Sequence, residues 1–489
     1  MSKKNKSQAN AMDDRMVAVE KEPNLFKAAF LALKNGDWAV KCSALWMGAG
    51  YLARKQYVKA LIMTLYEVAM LAFIFVVGMP YLADFGTLGT VQLEYVFNMQ
   101  TMKNEMNDYD NSFTILLFSV ITFVAIVILF FSWLANLRAV HKLQKRAEAG
   151  KHINSFKEDV KSYLNEKFHI TLLSLPVAGV VVFTVVPLII LIAVAFTNYD
   201  QQHMPPDSLF DWVGIENFTR LFTNGLTATF GYSFKTVLTW TLIWAFFATF
   251  SNYFLGIMLA KFLLNKKTKF PKFWRTIFVV TIAVPQFVTL LLIRNFLSDS
   301  GIVNSLFAQA GITDFLKDIG LVAEHLDYVP FLSSPGWAKV MVIIINIWVG
   351  VPYQMLVATG VLLNIPADMT ESAKIDGANE WHSFWKITMP YMFAVTGPTL
   401  VTDFVRNINN FNVIYLLTQD VYVTTNQSLA LSKAKEIDLL VTWLFRLTQE
   451  NYNYKMASVI GIMVFIICAI FTLVAFRSLT KGDKERMFQ

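Results

Sequence analysis

The sequence predicts an all-α polytopic membrane protein, and three observations lead to this fold class. First, 55% of the 489 residues are hydrophobic and only 16% are charged, which is too apolar for a water-soluble chain. Second, about eight apolar stretches are long enough to cross a hydrocarbon layer of roughly 30 Å. Third, none of them alternates as a barrel strand does, so each must satisfy its own backbone hydrogen bonds as a helix.

The apolar stretches define the candidate spans, each of about 20 residues or more. The eight predicted spans are residues 58–82, 112–135, 170–196, 234–263, 275–297, 338–363, 391–417 and 454–477. In the fifth span, Pro285 is expected to kink the helix. Arg294, near the outer end of the same span, is expected to snorkel toward water rather than to act as a gate.

Charge predicts which side of the membrane each loop faces. Lys and Arg concentrate between spans two and three and between spans four and five, whereas the alternate loops are mainly acidic. Because an excess of Lys and Arg marks the cytoplasmic side, both termini should be cytoplasmic, and the net charge of +7 reflects topology rather than nucleic-acid binding. The predicted regions are a cytoplasmic N-terminal segment (1–56), a transmembrane hairpin (57–136), a basic cytoplasmic linker (137–169), a six-helix core (170–480) and a cytoplasmic tail (481–489).

The sixth span is expected to be broken. Gly350 and Pro352, in the segment "NIWVGVPYQ", interrupt helices and should free backbone groups at membrane depth. Irregular backbone is tolerated there only where protein or a water-filled cavity covers it. We therefore expect Tyr353 to project from the break.

The loop that follows, residues 364–390, should be cytoplasmic although its acidic residues outnumber its lysines. Pro366 suits a first helical turn, Gly377 suits a left-handed stop between two helices, and Pro390 suits the start of the next span. The spacing therefore predicts a helix, a turn and a second helix with an aromatic ridge formed by Trp381, Phe384 and Trp385. Such a knob could enter a partner's groove, or its ridges could only pack on the membrane helices.

The seventh span carries a polar stripe. Its members fall at i, i+3, i+4 and i+7 and share an arc of about 100°: Asp403, Arg406, Asn407 and Asn410. Because a charge at mid-membrane costs on the order of 3 kcal/mol, these groups should face a cavity or one another. The amides match sugar hydroxyls, and aromatic faces could come from Phe404, Phe411 and Tyr415. Alternatively, the stripe only joins helices by hydrogen bonds within the protein.

The loop at 364–390 resembles the E-A-A loop of the membrane subunits of bacterial ATP-binding-cassette (ABC) importers. The matching residues are Glu371, Ala373, Asp376 and Gly377, followed by Ile387 and Pro390 after nine intervening residues. About 320 residues, from position 170 onward, resemble the larger membrane subunit of maltose and maltodextrin importers. The segments that carry this likeness are "FTVVPLIILIAVAFTNY", "GIENFTRLF", "AVPQFVTLLLIRNFL", "IWVGVPYQML" and "NINNFNVIYLLT".

The resemblance implies an ABC importer permease core whose loop couples to an ATPase subunit. It also implies a sugar site at Gly350, Tyr353, Asn407 and Asn410. Asp403 stands where that family has a small hydroxyl residue and Arg406 where it has an aromatic one. The two could pair, or an unpaired Arg406 could favour an acidic sugar.

The expected function is that of a permease subunit for maltodextrin-like oligosaccharides in the bacterial cytoplasmic membrane. The resemblance implies a second permease, two ATPase subunits and an extracellular or periplasmic sugar-binding protein as partners. No GxxxxGK motif followed by Ser or Thr is present, so we expect no enzymatic activity in this chain. The six histidines and two cysteines lack ligand spacing, so neither a metal nor another cofactor is expected.

Two other classes stay open at this point. The first is a secondary sugar carrier driven by an ion gradient, in which Asp403 and Arg406 would form the ion site. The second is a membrane scaffold that transports nothing. A carrier would take up sugar without ATP and would leave the cytoplasmic knob unexplained, whereas a scaffold would have no ATPase partner.

Overall fold

The computed structural model describes residues 23–222 and 229–486. The predicted N-terminal segment and tail therefore lie partly outside the described residues, at 1–22 and 487–489. The chain divides into two compact units after Ala193, with the short segment His203–Trp212 belonging to the first unit.

The first unit begins with three short helices, continues with two long apolar helices joined by a β-hairpin, and ends with a third long helix. Side-chain caps start several of these elements: Asn24 accepts from the Lys27 amide, and Asp37 accepts from the Val40 amide. In order, the elements are α1 (Leu25–Asn35), α2 (Trp38–Cys42), α3 (Ala49–Leu52), α4 (Tyr57–Ala83), β1 (Tyr95–Asn98), β2 (Lys103–Met106), α5 (Ser112–Glu148), α6 (Phe156–Leu164) and α7 (Phe168–Val194).

The hairpin of β1 and β2 is the one sheet among the described residues, and the sequence did not predict it. The strands are antiparallel, with Tyr95 opposite Met106 and Asn98 opposite Lys103. Four-residue strands of mixed polarity carry too short a pattern to be recognised in a sequence dominated by apolar helices. The all-α fold class is confirmed, since helices form nearly all of the remaining regular structure.

The second unit packs helices around three apolar clusters, whose largest fully buried side chains include Trp244, Trp443 and Tyr422. Its elements are α8 (Glu216–Phe222), α9 (Thr229–Leu264), α10 (Pro271–Ala283), α11 (Gln286–Phe296), α12 (Ile302–Gln309), α13 (Ile312–Asp318), α14 (Pro335–Leu362), α15 (Ala367–Ile375), α16 (Glu380–Ser383, continued by a π-helical turn at Phe384–Thr388), α17 (Met389–Ile408), α18 (Phe411–Thr418), α19 (Gln427–Leu431), α20 (Leu440–Gln449) and α21 (Tyr454–Arg486).

Six helices of the described chain are long and apolar enough to cross a membrane, and a seventh span results if the bent pair of α10 and α11 is counted as one. The six are α4, α5, α7, α9, α14 and α21. The predicted count of about eight is not confirmed. The missing member is the predicted span 391–417, which the structure divides into α17 and α18.

The division falls at the end of the polar stripe. Asn409 leaves the helical conformation, and the side chain of Asn410 accepts a hydrogen bond from the Val413 amide at 3.4 Å. Asn410 therefore acts as the N-cap of α18. A residue predicted to lie within one helix instead begins a second one.

The predicted break in the sixth span is wrong, because α14 runs through Gly350 and Pro352 without interruption. Pro352 removes one helical hydrogen bond, but packing against α9 holds the helix on both sides of it. Gly350 serves close helix packing instead: an added Cβ would lie 2.3 Å from Nδ2 of Asn252.

The predicted bend at Pro285 is confirmed, and it is a complete break between two helices. Helices α10 and α11 meet at 94°. Val284 and Pro285 both have ψ of 127°, an extended conformation in which no helical turn can continue. The fifth span is therefore broken at this point, and the break opens onto the cavity described below.

Candidate functional site

A polar cavity of about 660 Å³ lies within the second unit. Its walls are α9, the bend between α10 and α11, the middle of α14, and the junction of α17 with α18. All six residues predicted to contact substrate line it: Gly350, Tyr353, Asp403, Arg406, Asn407 and Asn410. The volume falls in the range of small-molecule sites.

Asp403 and Arg406 pair with each other. Nη2 of Arg406 lies 2.8 Å from one carboxylate oxygen of Asp403, and Nε2 of Gln354 donates to the other oxygen at 2.7 Å. The Asp403 side chain is only 8% exposed, whereas that of Arg406 is 62% exposed. Among the described residues that line the cavity these two alone are charged, so the charge of the cavity sums to zero.

Asn407 is held by the helices around it. Its Nδ2 donates to Oγ1 of Thr249 at 2.9 Å, and its Oδ1 accepts from Nδ2 of Asn410 at 3.4 Å. Its carbonyl oxygen accepts from the indole of Trp244 at 3.0 Å. The alternative that the stripe joins helices thus describes part of its role, although Asn407 and Asn410 also line the cavity.

Two buried amides that sequence reasoning missed also line the cavity. Asn252 on α9 and Asn346 on α14 are 7% and 5% exposed. Oδ1 of Asn252 and Nδ2 of Asn346 have no hydrogen-bond partner among the described residues. Both atoms are buried beneath the cavity surface, and a buried polar atom without a partner is costly, so each side chain would gain a hydrogen bond by rotating toward a polar ligand in the cavity. The signal was a single Asn in each of two apolar runs, "FSNYF" and "IIINIW".

The aromatic residues are arranged differently from the prediction. Phe404 is buried and stacks on Phe471 with ring centroids 4.2 Å apart, and it does not line the cavity. Tyr415 lies behind Phe411, against which it stacks at 4.5 Å. Of the three residues named from sequence, Phe411 alone lines the cavity, where the structure adds Trp348.

Arg294 forms an ion pair and does not simply extend into water. Its Nη1 lies 2.8 Å from Oδ2 of Asp420, which follows α18, and its side chain is 22% exposed. The pair joins α11 to the segment after α18. Because the partners are 126 residues apart in sequence, no local pattern could reveal the pairing.

The loop at 364–390 has the predicted helix, turn and helix. Gly377 adopts a φ of +82°, a left-handed conformation that favours glycine, and the Ala378 amide closes the first helix by donating to the Ala373 carbonyl at 2.9 Å. Glu371 and Asp376 are exposed. Three further residues of the predicted motif are half-buried: Ala373, Ile387 and Pro390.

The aromatic ridge of this loop points in two directions. Phe384 is buried, with Nζ of Lys261 4.5 Å from its ring centroid, so this part of the ridge packs on α9. Trp381 and Ile375, in contrast, are 70% and 86% exposed. The loop therefore presents an apolar surface that the described part of the chain does not cover.

Membrane-crossing helices around a polar cavity, with a helical loop exposed beside them, define a membrane transport subunit. Residues 252–481 match the family described as "Binding-protein-dependent transport system inner membrane component". The chain is 32% identical over 440 residues to the galactooligosaccharides transport system permease protein GanP of Bacillus subtilis, covering 90% of this chain and 96% of that protein. It is 30% identical to the maltodextrin transport system permease protein MalC of Streptococcus pneumoniae, covering 90% and 95%.

The chain belongs to this family of ABC importer permeases, as the resemblance implied. Among solved structures it is similar to a bacterial ABC transporter involved in the import of the acidic polysaccharide alginate, with 22% identity, a TM-score of 0.48, and coverage of 66% of this chain and 99% of that one. The comparisons give no support to the alternative of an ion-gradient-driven carrier.

Proposed function

We propose that this chain forms half of the translocation pathway of an oligosaccharide importer and that the 660 Å³ cavity binds a neutral sugar. The observation that carries the proposal is the composition of the cavity wall. Amides supply donors and acceptors, Tyr353 and Trp348 supply exposed aromatic faces, and the two charges neutralise each other. The relatives named for galactooligosaccharide and maltodextrin transport support the same substrate class.

Asn346→Leu tests this assignment. Because Nδ2 of Asn346 makes no hydrogen bond with a described residue, the substitution should not lower thermal stability, yet it removes a donor that the sugar would use. We expect sugar affinity to fall about tenfold. Asn104→Leu is the matched control, since Asn104 in β2 is exposed and does not line the cavity.

The assay measures which oligosaccharides bind the purified membrane assembly, using neutral glucans, neutral galactans and uronates of equal length. Binding of neutral sugars with loss in Asn346→Leu supports the proposal. Binding of uronates alone, or equal affinities in wild type and variant, contradicts it.

We also propose that the loop at 364–390 docks on a separate ATPase subunit, with Glu371, Ala373, Asp376, Gly377, Ile387 and Pro390 shaping the docking surface. The exposed Trp381 and Ile375 support this role, because an uncovered apolar knob beside membrane helices suits a partner's groove. ATP hydrolysis would then occur on the partner. A second permease, a second ATPase subunit and an extracellular or periplasmic sugar-binding protein would complete the assembly.

Gly377→Ile tests the coupling. No atom lies within 4 Å of the added Cβ, so the perturbation comes from forcing a β-branched residue to a φ of +82°. We expect sugar uptake to fall while the chain still inserts and the partner still hydrolyses ATP. Gly360→Ala in α14, which also meets nothing within 4 Å, is the control. Normal uptake by Gly377→Ile would contradict the docking role.

We propose in addition that both termini and the basic linker 137–169 are cytoplasmic and that the chain consists of the five regions predicted from the sequence. The distribution of Lys and Arg supports it. Reaction of single cysteines with a membrane-impermeant thiol reagent tests it: a cysteine in the linker should react only in inverted vesicles, and one in the hairpin of β1 and β2 only in intact cells.

A further inference from the structure

Helix α1, at residues 25–35, has three distinct faces. The face made by Ala28, Ala29 and Ala32 is buried. At about 100° per residue, Phe26, Phe30 and Leu33 fall together on another side of the helix, more than a quarter turn from the alanines. All three are exposed, Phe26 at 54% and Phe30 at 64%. The small side chains therefore face the protein and the large apolar ones face away from it.

The third face is basic. Lys27 and Lys34 are seven residues apart, which places them on one side of α1, about a quarter turn from the phenylalanines. Both are exposed, as is Lys41 after α1, and none of the three forms an ion pair with a described residue. Residues 23–56 contain five basic side chains and one acidic one, Asp37, which pairs with Arg54 at 2.8 Å. Among the described residues, the unpaired charge of this segment is thus entirely positive.

The apolar face continues the outer surface of the neighbouring membrane helix. The ring of Phe26 lies 6.4 Å from that of Phe130 and 6.2 Å from that of Phe131. Phe130 and Phe131 belong to the apolar stretch of α5, and each is 46% exposed. Side chains exposed along such a stretch face lipid, so Phe26 reaches the depth of lipid-facing residues.

Tryptophans fix the same segment to the ends of the spans. Nε1 of Trp46 donates to Oγ1 of Thr64 in α4 at 2.7 Å, and Nε1 of Trp133 in α5 donates to the Ala44 carbonyl at 2.9 Å. Trp46 is 42% exposed and Trp38 is 73% exposed. Tryptophans that are partly exposed at the ends of spans are typical of the membrane–water interface.

We propose that residues 25–46 form an anchor that lies in the bilayer interface, with the Phe26, Phe30 and Leu33 face in the acyl region and anionic lipid headgroups bound by Lys27, Lys34 and Lys41. A helix with one apolar and one basic exposed face binds membranes in this way, and each lysine near an anionic surface adds to the attraction. The occupant of this face is lipid rather than a partner protein, because the face is continuous with the lipid-facing surface of α5. The proposal is independent of the sugar assignment.

Spin labels on single cysteines test the depth of the anchor. In a full-length chain with Cys42 and Cys468 replaced by Ala, labels are placed at Phe30→Cys, at Val127→Cys as a lipid-facing reference and at Lys157→Cys as an aqueous reference. The label at position 30 should be accessible to oxygen as at 127 and shielded from a water-soluble nickel reagent. Accessibility to nickel as at 157 would overturn the proposal. An immobile label that neither reagent reaches would mean that a protein covers the face, which also overturns it.

Hydrogen exchange in nanodiscs tests the headgroup preference. Replacing part of the phosphatidylcholine by phosphatidylglycerol should slow amide exchange in α1 of the wild-type chain. The slowing should diminish about fivefold for each lysine removed in Lys27→Gln and Lys34→Gln. Lys103→Gln in β2, also an exposed lysine, should leave exchange in α1 unchanged. Equal exchange in both lipids, or an equal effect of the control, would overturn the preference for anionic lipid.

Discussion

Replacing Asp403 with Asn should turn the neutral cavity into a cationic one. The amide keeps the size of the carboxylate and can still accept the hydrogen bond from Gln354, which the wild-type side chain receives at 2.7 Å. What is lost is the charge that neutralises Arg406, whose side chain is 62% exposed. We therefore expect the variant to bind an anionic sugar that the wild-type cavity does not favour.

The size of this gain follows from the exposure of Arg406. Two unit charges 4 Å apart attract by roughly 4 kcal/mol at an effective dielectric constant of 20 and by about 1 kcal/mol in water. Since more than half of the arginine side chain is exposed, the lower end of this range applies, as it does for exposed ion pairs. About 1 kcal/mol corresponds to roughly fivefold tighter binding of a uronate. The affinity for neutral sugars should change by less than about threefold, because a neutral sugar does not compensate either charge.

The assay is equilibrium binding of labelled neutral and uronate oligosaccharides of equal length to the purified membrane assembly in nanodiscs, without the sugar-binding protein. Arg406→Gln, which leaves the cavity with one negative charge, and the double variant, which leaves it neutral, complete the cycle. Uronate affinity should be highest in Asp403→Asn, intermediate in wild type and the double variant, and lowest in Arg406→Gln. The gain should shrink as the salt concentration rises.

If all three variants weakened the binding of both sugars to the same extent, the Asp403–Arg406 pair would act only as a link between residues of α17, and the predicted charge effect would be refuted. It is refuted equally if Arg406→Gln and Asp403→Asn shift uronate binding in the same direction. Thermal unfolding of each variant shows whether a loss of binding comes from loss of the fold.

Three further substitutions test the packing and electrostatics of the second unit by thermal unfolding in nanodiscs. Gly256→Ala should destabilise by about 1–3 kcal/mol, since the added Cβ would lie 2.9 Å from the backbone carbon of Gln354, which cannot move aside. Arg446→Leu should cost about 3–5 kcal/mol, because Asp438, 1% exposed and 2.9 Å from Arg446, would keep a buried charge without its partner. Glu436→Gln should reduce the loss of stability as the pH is lowered from 7 through the folded-state pKa of Glu436. Burial alone would raise the pKa of Glu436, but hydrogen bonds from threonine and backbone donors hold it below its usual value, so this stabilisation is fully present above the unfolded-state pKa and is lost as the pH falls through the lower folded-state pKa.

Each of these three substitutions has a control variant or a result that would contradict its stated cause. Gly360→Ala should be neutral or slightly stabilising, because nothing lies within 4 Å of its Cβ. The double variant Asp438→Asn with Arg446→Leu should recover part of the stability that Arg446→Leu loses. Equal effects of Gly256→Ala and Gly360→Ala, no recovery in the double variant, or an unchanged pH profile in Glu436→Gln would each contradict the stated cause.

The sequence predicts the fold class and most span positions because both depend on composition within a window. The sixth and eighth predicted spans, 338–363 and 454–477, agree closely with Pro335–Leu362 and Tyr454–Leu479. The second, predicted to end at 135, continues as a helix to Glu148. Hydropathy marks where a helix leaves the lipid, whereas the helix itself ends where its hydrogen bonding and packing end.

The fine structure of the site depends on neighbours that are distant in sequence. Gly350 looks like a helix breaker until Asn252, 98 residues earlier, is seen to occupy the space that a Cβ would need. Asn410 looks like one more member of a polar stripe until its side chain is seen to cap a new helix. Periodicity placed the stripe at a cavity, but it could not show which amide groups are already hydrogen-bonded and which, such as Nδ2 of Asn346, have no partner among the described residues.

Because the chain breaks after the polar stripe, α17 is a separate helix that joins the exposed loop to the cavity. The helix begins at Met389, directly after the π-helical turn of the exposed loop, and ends at Ile408, between the cavity-lining residues Asn407 and Asn409. Asp403 lies 14 residues from its start, or about 21 Å at 1.5 Å per residue. A helix transmits displacement along its axis, so a movement of the loop should reach the Asp403–Arg406 pair and Asn407 together. If one continuous helix ran through Asn410, a movement of the loop would displace the segments before and after Asn410 together. Because α17 and α18 are separate helices, we expect the polar face of α17 to shift relative to α18.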